Sequence, residues 1–256
     1  MKPPPFAYCR PDTAEEAVHR LAEYGPDARV LAGGQSLLPL LNRRLVRPTA
    51  LVDIGRLAPL RGTGRQDGAL RIGALTTHAD LERTADPGIL AGLPVLPETA
   101  RLIGHLPVRV RGTVGGSLAH ADPAAEWCLL AVLLDAELDS LGPSGQRVIS
   151  AGEFFTGTHR TALAVGELLT AIRFPRPAPA PTAAVAEYGV QRGSLPLVAA
   201  GAELVLGPDG RITAARIALG GVADRPGRAG GGRARAPAGG PPPPPRRPSP
   251  PPAAPR

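Results

Sequence analysis

The sequence predicts a mixed α and β protein with two or three subdomains, and three observations support this prediction. The chain has 256 residues, of which 43% are hydrophobic, and this is enough to bury a substantial core. Near the N-terminus a strand, a glycine-rich loop, a helix and a second strand follow one another. Around residue 200, two apolar runs at 198–206 and 212–222 flank the turn sequence Gly207-Pro208-Asp209-Gly210.

The first subdomain is predicted to cover residues 1–57. Thr13 and Glu16 have the spacing of a capping box, and apolar residues then recur at helical spacing until Gly25. The elements that follow are predicted as a strand, a helix and a strand, at 28–31, 37–45 and 50–54.

The second subdomain is predicted to cover residues 58–177, ending in a proline-rich linker at 175–181. Predicted strands lie at 70–74, 136–141 and 167–174, and predicted helices at 77–84, 94–106 and 124–134. Arg109 and Arg111 alternate with valines, which predicts a strand with both arginines on a solvated face; phosphate contact is the alternative.

The third unit is predicted to be a partial domain at 178–226, followed by a disordered tail at 227–256. From Gly227 onward the sequence contains only Gly, Ala, Pro, Arg and one Ser. Such a segment cannot offset its ordering entropy by burial. The change of composition is abrupt, which suggests a reading-frame change near Pro226.

Charge and cysteine content limit the classes of function. The chain has 29 basic and 22 acidic residues, but six of the arginines lie in the tail, so the body has 23 against 22. A body this close to neutral does not indicate a nucleic-acid partner. Two cysteines, no signal peptide and no apolar run of membrane-spanning length predict a soluble cytoplasmic protein.

Two glycine-rich segments are the strongest functional signal. They are Ala32-Gly33-Gly34-Gln35-Ser36-Leu37 and Thr113-Val114-Gly115-Gly116-Ser117, called here the first and second glycine segments. Paired glycines let consecutive backbone N–H groups approach an anion without obstruction by a Cβ atom, and a helix N-terminus favours phosphate. Two such segments predict a cradle for a long, phosphate-bearing cofactor.

Other residues of chemical interest favour structural roles. His78, His105 and His120 lack the spacing of metal ligands, so no metal site is predicted. Trp127 lies in an apolar helix and is predicted to belong to the core. Asp122 is compatible with either a cofactor contact or a local Asp-Pro turn. No nucleophile or acid–base pair emerges, so no catalytic residue is predicted.

Taken together with their neighbours, the glycine segments resemble one family. The runs Leu51-Val52-Asp53-Ile54-Gly55, Arg71-Ile72-Gly73-Ala74-Leu75-Thr76-Thr77-His78 and Ser117-Leu118-Ala119-His120-Ala121-Asp122-Pro123-Ala124-Ala125-Glu126 extend the match. Over residues 1–226 the chain is similar to the FAD-binding medium subunits of molybdenum hydroxylases, the carbon-monoxide dehydrogenase and xanthine dehydrogenase type.

The resemblance implies a fold and a cofactor. The fold is an α+β, vanillyl-alcohol-oxidase type FAD-binding fold of two subdomains, at 1–57 and 58–177, with a partial C-terminal domain at 178–226. The cofactor is FAD. The implied contacts are Val30, Leu31, Ala32, Gly33, Gly34, Gln35, Ser36, Leu37, Ile103, Thr113, Val114, Gly115, Gly116, Ser117, Asp122, Glu126, Leu169 and Tyr188.

Among these, Glu126 matches a carboxylate that hydrogen-bonds the cofactor. Ile103 and Leu169 match apolar positions near the isoalloxazine ring. Tyr188 is a candidate cover for the flavin. Relatives often carry a basic residue after the aromatic at position 188, where this chain has Gly189, and Gln191 and Arg192 are the nearest substitutes.

The resemblance also implies partners. Electrons would pass from a molybdenum cofactor in a large subunit through [2Fe–2S] clusters in a small subunit to this flavin, and then to NAD, a quinone or oxygen. Two alternatives stay open: a self-contained FAD-dependent oxidoreductase, and a truncated, non-catalytic subunit fragment.

Overall fold

Three sheets organise the chain, and each draws its strands from a separate stretch of sequence. The computed structural model describes residues 2–175, 182–191 and 193–229. The mixture of helices and strands agrees with the predicted fold class. The predicted linker lies mainly outside the described residues, as does Arg192. The division into subdomains stays a prediction.

The N-terminal sheet is parallel and holds the first glycine segment. Its strands are β1 (Ala7–Cys9), β2 (Arg29–Leu31) and β3 (Ala50–Asp53), in the order β1-β3-β2. Helix α1 (Ala14–Tyr24) joins β1 to β2, and helix α2 (Leu37–Asn42) joins β2 to β3. The first glycine segment is therefore the turn between β2 and α2.

The capping box predicted for α1 forms in a modified way. The Thr13 hydroxyl accepts a hydrogen bond from the Glu16 N–H at 3.0 Å, as expected for an N-cap. The Glu16 carboxylate accepts from the N–H of Asp12 rather than that of Thr13.

Helix α2 ends at Asn42, three residues before the predicted end, and Arg44 adopts a left-handed φ of 57°.

The second sheet is antiparallel and has five strands in the order β4-β5-β10-β6-β7. The strands are β4 (Thr63–Gln66), β5 (Ala69–Gly73), β6 (Glu137–Gly142), β7 (Gly145–Ser150) and β10 (Leu168–Phe174). Before β10, a short helix α9 (Ala151–Phe154) leads into the small hairpin of β8 (Phe155–Gly157) and β9 (Arg160–Thr161).

Six helices fill the connection between β5 and β6. They are α3 (His78–Glu82), α4 (Pro87–Gly92), α5 (Val95–Ala100), α6 (Leu106–Arg109), α7 (Val114–His120) and α8 (Glu126–Leu133). All eight residues of α8 are buried, because a helix that is apolar all round belongs in a protein interior. Helix α8 is thus the centre of the main core.

The third sheet is antiparallel and packs on α8. Its strands, in spatial order, are β11 (Thr182–Tyr188), β12 (Val198–Leu206), β13 (Ile212–Gly220) and β14 (Gly227–Arg228). The contact with α8 is so close that a Cβ added at Gly201 would lie 2.8 Å from the Leu133 side chain.

Two sequence predictions are wrong in this part of the chain. Residues 106–109 form helix α6 rather than a strand, with Pro107 in its first turn, where a missing N–H costs nothing. The tail was predicted to begin at Gly227, but Gly227 and Arg228 pair with Leu219 and Ala218. Residues 230–256 lie outside the described ranges.

No helix in the described ranges is long and apolar enough to cross a membrane.

The burial of Trp127 gives the first testable prediction. Its side chain is fully buried in α8, so Trp127→Ala is expected to lower the free energy of unfolding by about 3–5 kcal/mol through lost burial and a residual cavity. Val148→Ala, at a strand position that is 53% exposed, is the control and should cost less than about 1 kcal/mol. Urea denaturation measures both, and equal losses would contradict the placement of the core.

Candidate FAD site

The first glycine segment presents a row of unused backbone donors. Within the described ranges, the N–H groups of the five residues from Gly33 to Leu37 donate to no other group. Gly34 has a φ of +74°, a conformation that glycine adopts at little cost and that turns successive N–H groups toward one side. Consecutive N–H donors arranged in this way are suited to an anion.

A cavity of about 310 Å³ lies beside this segment. Leu31, Ala32, Gly33, Gly34 and Leu38 form one wall, and Asp53, Gly55, Arg56 and Arg111 complete the lining.

Two arginines therefore line the cavity. The acidic lining residue, Asp53, is engaged by Arg10 at 3.0 Å and by the Gly55 N–H at 2.9 Å. Arg56 and Arg111 give the cavity the charge that a diphosphate requires.

The first segment touches the backbone that leads into the second. A Cβ atom built on Gly33 would lie 2.0 Å from the carbonyl oxygen of Arg111 and 3.0 Å from the Cα of Gly112. No residue with a Cβ atom fits at this distance. Gly33 is therefore fixed by contact within the protein as well as by access to the cavity.

The second glycine segment uses its backbone donors internally. The Val114 and Gly115 N–H groups donate to the carbonyls of Thr76 and Ala74, and those of Gly116 and Ser117 donate to the Thr113 hydroxyl and carbonyl. These four distances lie between 2.9 and 3.1 Å. The segment is the capped start of α7, so the expectation that its paired N–H groups face an anion is wrong.

Gly115 has a packing role in this arrangement. An added Cβ would lie 2.5 Å from the Cβ of Ala74 and 2.8 Å from its backbone, so α7 can press against the end of β5 only with glycine here. Gly116 and Ser117 are the half-exposed members of the segment, while Thr113, Val114 and Gly115 are buried. A contact to a ligand from this segment falls to Gly116 and the Ser117 side chain.

His78 supports the second segment from inside. The buried imidazole accepts a hydrogen bond at Nδ1 from the Trp127 indole N–H at 3.0 Å, and its backbone N–H donates to the carbonyl of Gly112 at 3.1 Å. Burial, with a smaller contribution from the charge of Arg109, lowers the pKa of His78 to about 4. His78 is thus a neutral acceptor that joins α3, α8 and the start of α7.

Glu126 places a carboxyl group at the start of α8, almost fully buried at 4% exposure. Burial, together with the charges of Glu187 and Asp122, raises the pKa of Glu126 to about 7, against the opposing effect of a hydrogen bond from its own backbone N–H. Nearby, the Asp122 carboxylate accepts the Ala124 N–H at 2.9 Å, which matches the local-turn alternative for Asp122.

The remaining predicted contacts differ in burial. Ile103 and Leu169 are 9% and 5% exposed and belong to the main core. Tyr188, at the end of β11, is 70% exposed, and its carbonyl accepts the Leu197 N–H at 2.8 Å. The contacts proposed for these three residues stay predictions.

Three ionisable side chains gather at the end of α7. His120, Asp122 and His159 bring potential ligand atoms within 4.8 Å of one another. The two imidazole rings stack with centroids 4.5 Å apart and planes inclined by 30°, and His159 Nδ1 lies 3.1 Å from the His120 carbonyl oxygen. Because stacked rings direct their nitrogen lone pairs along nearly parallel planes, we assign no metal to this group.

Sequence reasoning missed Arg56, and it gave phosphate contact by Arg111 only as an alternative. Arg111 was predicted to lie on a solvated strand face, yet it follows α6 and borders the first segment. Arg109 is held in a different way, by Glu82 at 2.8 Å and the Gly104 carbonyl at 2.9 Å. The available signal was the position of Arg111 directly before Gly112 and the second segment.

Comparison with known proteins identifies the class to which this site belongs. Residues 4–177 match the family described as the FAD binding domain in molybdopterin dehydrogenase. The chain belongs to this family. Its cofactor is FAD, and it is an oxidoreductase subunit.

Individual relatives extend the match to nearly the whole described chain. It is 40% identical to 6-hydroxypseudooxynicotine dehydrogenase complex subunit alpha of Paenarthrobacter nicotinovorans, covering 86% of this chain and 74% of that protein. It is 39% identical to the carbon monoxide dehydrogenase medium chain of Hydrogenophaga pseudoflava, over 92% and 81%. A structure of carbon monoxide dehydrogenase from H. pseudoflava superposes with a TM-score of 0.84 at 37% identity, over 89% of this chain and 78% of that one.

Gly33→Ala is expected to weaken FAD binding by at least about tenfold and to destabilise the protein, because the added methyl group meets the Arg111 carbonyl and must displace the first segment. Gly64→Ala is the matched control, since no atom lies within 4 Å of its built Cβ. Flavin fluorescence titration and urea denaturation measure the two effects. Normal FAD affinity in Gly33→Ala would disprove the contact.

Glu126 predicts a pH dependence in the FAD-free protein. Because its folded pKa of about 7 exceeds the ordinary value of 4.5, the folded chain keeps a proton that the unfolded chain releases. The stability contributed by this proton is complete below pH 4.5 and is lost as the pH rises through about 7. The loss is about 3 kcal/mol, from 1.36 kcal/mol per pKa unit.

The test compares Glu126→Gln with the wild type at pH 5 and pH 8. The variant should gain stability relative to the wild type between these values, and the opposite contribution of His78 cancels because both proteins contain it. Glu15→Gln, at an exposed position of α1, should follow the wild type. If the free energy of unfolding changes by the same amount between pH 5 and pH 8 in Glu126→Gln and in the wild type, Glu126 is not a buried, uncompensated carboxyl group.

Proposed function

We propose that this chain is the flavin-carrying electron-transfer subunit of a molybdenum hydroxylase complex. A large subunit with a molybdenum cofactor supplies electrons to the [2Fe–2S] clusters of a small subunit. This chain receives the electrons from those clusters and passes them to NAD, a quinone or oxygen. The names of the relatives support this assembly, because they describe a dehydrogenase complex subunit and a medium chain. We also propose the two-subdomain, vanillyl-alcohol-oxidase type arrangement for the FAD-binding region.

One observation carries the cofactor assignment: five consecutive N–H groups are unused in the described ranges, and the first two of these residues, Gly33 and Gly34, line a cavity that two arginines also line. A diphosphate carries negative oxygens that accept from such donors. We propose that the Gly33–Leu37 backbone, Arg56 and Arg111 hold the diphosphate of FAD, with Val30, Leu31 and Ala32 shaping the approach.

The other residues position the rest of the cofactor. Gly116 and Ser117 are the exposed part of the second segment, and Glu126 offers a carboxyl group to hydroxyl donors. When bound, FAD supplies the electron-accepting and electron-donating chemistry. The protein binds, orients and shields it, which agrees with the absence of a catalytic acid–base pair among the sequence predictions.

The experiment for the assembly is purification of the full tagged chain from cells that also express its neighbouring subunits. We expect FAD near one per chain, together with iron and molybdenum in the same gel-filtration peak. A flavoprotein that runs alone and oxidises a substrate by itself would favour a self-contained oxidoreductase. A colourless chain without metal-bearing partners would refute the proposed function.

The diphosphate assignment predicts the effect of the arginines. Arg111→Ala and Arg56→Ala are each expected to weaken ADP and FAD binding about tenfold, because a charge-assisted contact contributes about 1.5 kcal/mol. The effect should shrink at high salt. Arg65→Ala, on the exposed strand β4, is the control. Titration calorimetry with ADP measures the affinities, and unchanged affinity in both variants would move the diphosphate elsewhere.

A further inference from the structure

Glu187 carries a buried polar atom without a partner. Its Oε2 is shielded from solvent and hydrogen-bonds to nothing in the part of the chain that the structure describes. Along β11 the more buried positions are Ala183, Val185 and Glu187, and the first two pack on the main core. A carboxyl group therefore points inward from a strand face that is otherwise apolar.

Two other glutamates with buried side chains have an arginine partner. Glu203 on the neighbouring strand β12 is 4% exposed and is held by Arg216 at 2.7 Å. The Glu167 side chain is 8% exposed and is paired with Arg147. Glu187 as a whole is half-buried, but its shielded Oε2 lacks the compensation that these arginines provide.

Glu187 also lies near a second uncompensated carboxyl group. Its charge raises the pKa of Glu126 at the start of α8, and burial raises the pKa of Glu187 itself. Within the described ranges neither carboxyl group forms an ion pair with an arginine, lysine or histidine. Two carboxyl groups that face a common interior would accept hydrogen bonds from a neutral, donor-rich ligand.

A second unpartnered atom lies on the adjoining helix. Thr99 is 1% exposed and its Oγ1 finds no partner among the described residues. Thr99 belongs to α5, which packs against β11. Two unsatisfied buried polar atoms on packed elements are uncommon in a folded protein and indicate a polar group that is supplied from outside the chain.

The positive and negative side chains of the proposed site lie on different elements of the fold. Arg56 and Arg111 lie at the first glycine segment, whereas Glu126 and Glu187 lie at α8 and β11. Phosphates would be repelled by the two carboxyl groups and attracted by the arginines. FAD has hydroxyl and N–H donors on both sides of its diphosphate. Since the adjacent Tyr188 is the candidate cover for the flavin, the donors assigned to the carboxyl groups are the ribityl hydroxyls and the imide N–H of the isoalloxazine ring.

We propose that Glu187 is a cofactor contact, and that its carboxyl group accepts a hydrogen bond from a donor at the flavin end of FAD, next to Glu126. The inference rests on the proposed FAD site and adds a residue that the sequence motifs did not indicate. A carboxylate close to the ring opposes the addition of electrons to it. Glu187 therefore holds the midpoint potential of the bound flavin below the value that it would have without this charge.

The test separates the two ends of the cofactor. In the full chain, Glu187→Ala should weaken binding of FAD and of riboflavin about tenfold and leave binding of ADP unchanged. Glu187→Gln keeps the shape and removes the charge, so it should raise the midpoint potential of bound FAD, measured with reference dyes at pH 7.5. A purely structural role for Glu187 would not move the potential in this isosteric variant.

Glu203→Gln is the matched control, because it removes a buried carboxylate from the neighbouring strand. It is expected to change neither the potential nor the binding of riboflavin. If Glu187→Ala does not fold, the potential of Glu187→Gln decides alone. An unchanged potential in Glu187→Gln would overturn the inference while FAD binding by the wild type still supports the proposed function. A wild-type chain that binds neither FAD nor riboflavin would overturn both.

Discussion

The contact between Gly33 and the carbonyl of Arg111 is the constraint on which the site depends. It joins the turn after β2 to the backbone before α7, two segments separated by nearly eighty residues of sequence. With a separation of 2.0 Å from the built Cβ to the carbonyl oxygen, glycine is the only residue that permits it. Arg111 thereby lines the same cavity as Gly33 and Gly34 of the first segment. One close approach of two backbones creates both halves of the anion site.

The second segment contributes rigidity to this contact. Its N–H groups are bonded to Thr76, Ala74 and Thr113, and Gly112 lies against the neutral imidazole of His78. His78 is hydrogen-bonded in turn to Trp127 at the centre of the core. The backbone at Arg111 and Gly112 is therefore held in place by the buried core through His78. The two glycine pairs look alike in sequence, but the first leaves its donors open and the second uses glycine to let a helix press on a strand.

The sequence predicted the elements well wherever the pattern was local. Strand 198–206 has the predicted ends, and strand 212–222 stops at Gly220 because Gly221 turns with a φ of +77° and bonds to Pro123. The strand predicted at 108–111 failed because alternation over four residues is weaker than the turn set by Pro107 and the ties of Arg109 to Glu82 and Gly104. Tertiary contacts override so short a pattern.

The site was predicted in the same uneven way. The motif gave the first segment and Glu126, because both are marked by residue type at a fixed spacing. Arg56 and Glu187 carry no local signal, and Arg111 carries only its position before the second segment, since an arginine or glutamate at those positions is compatible with a solvated surface. Their role depends on which distant backbone or carboxyl group the fold places beside them, and this information exists only in three dimensions.

The distribution of charge gives the site a polarity that the glycine motifs alone do not explain. A cradle of N–H groups binds any phosphate, whichever way the rest of the molecule points. The arginines at the first glycine segment and the two carboxyl groups at α8 and β11 discriminate between the parts of the cofactor. The phosphates are attracted by the arginines and repelled by the carboxyl groups, whereas the neutral flavin end offers hydrogen-bond donors to the carboxyl groups. Burial strengthens this discrimination, since charges removed from water interact over longer distances than exposed ones. In an electron-transfer subunit, orientation decides which edge of the flavin faces its redox partner. Glu126 and Glu187 have no cationic partner in the described ranges, which is unfavourable for the stability of the chain alone. In this proposal, the two carboxyl groups select the orientation of the flavin.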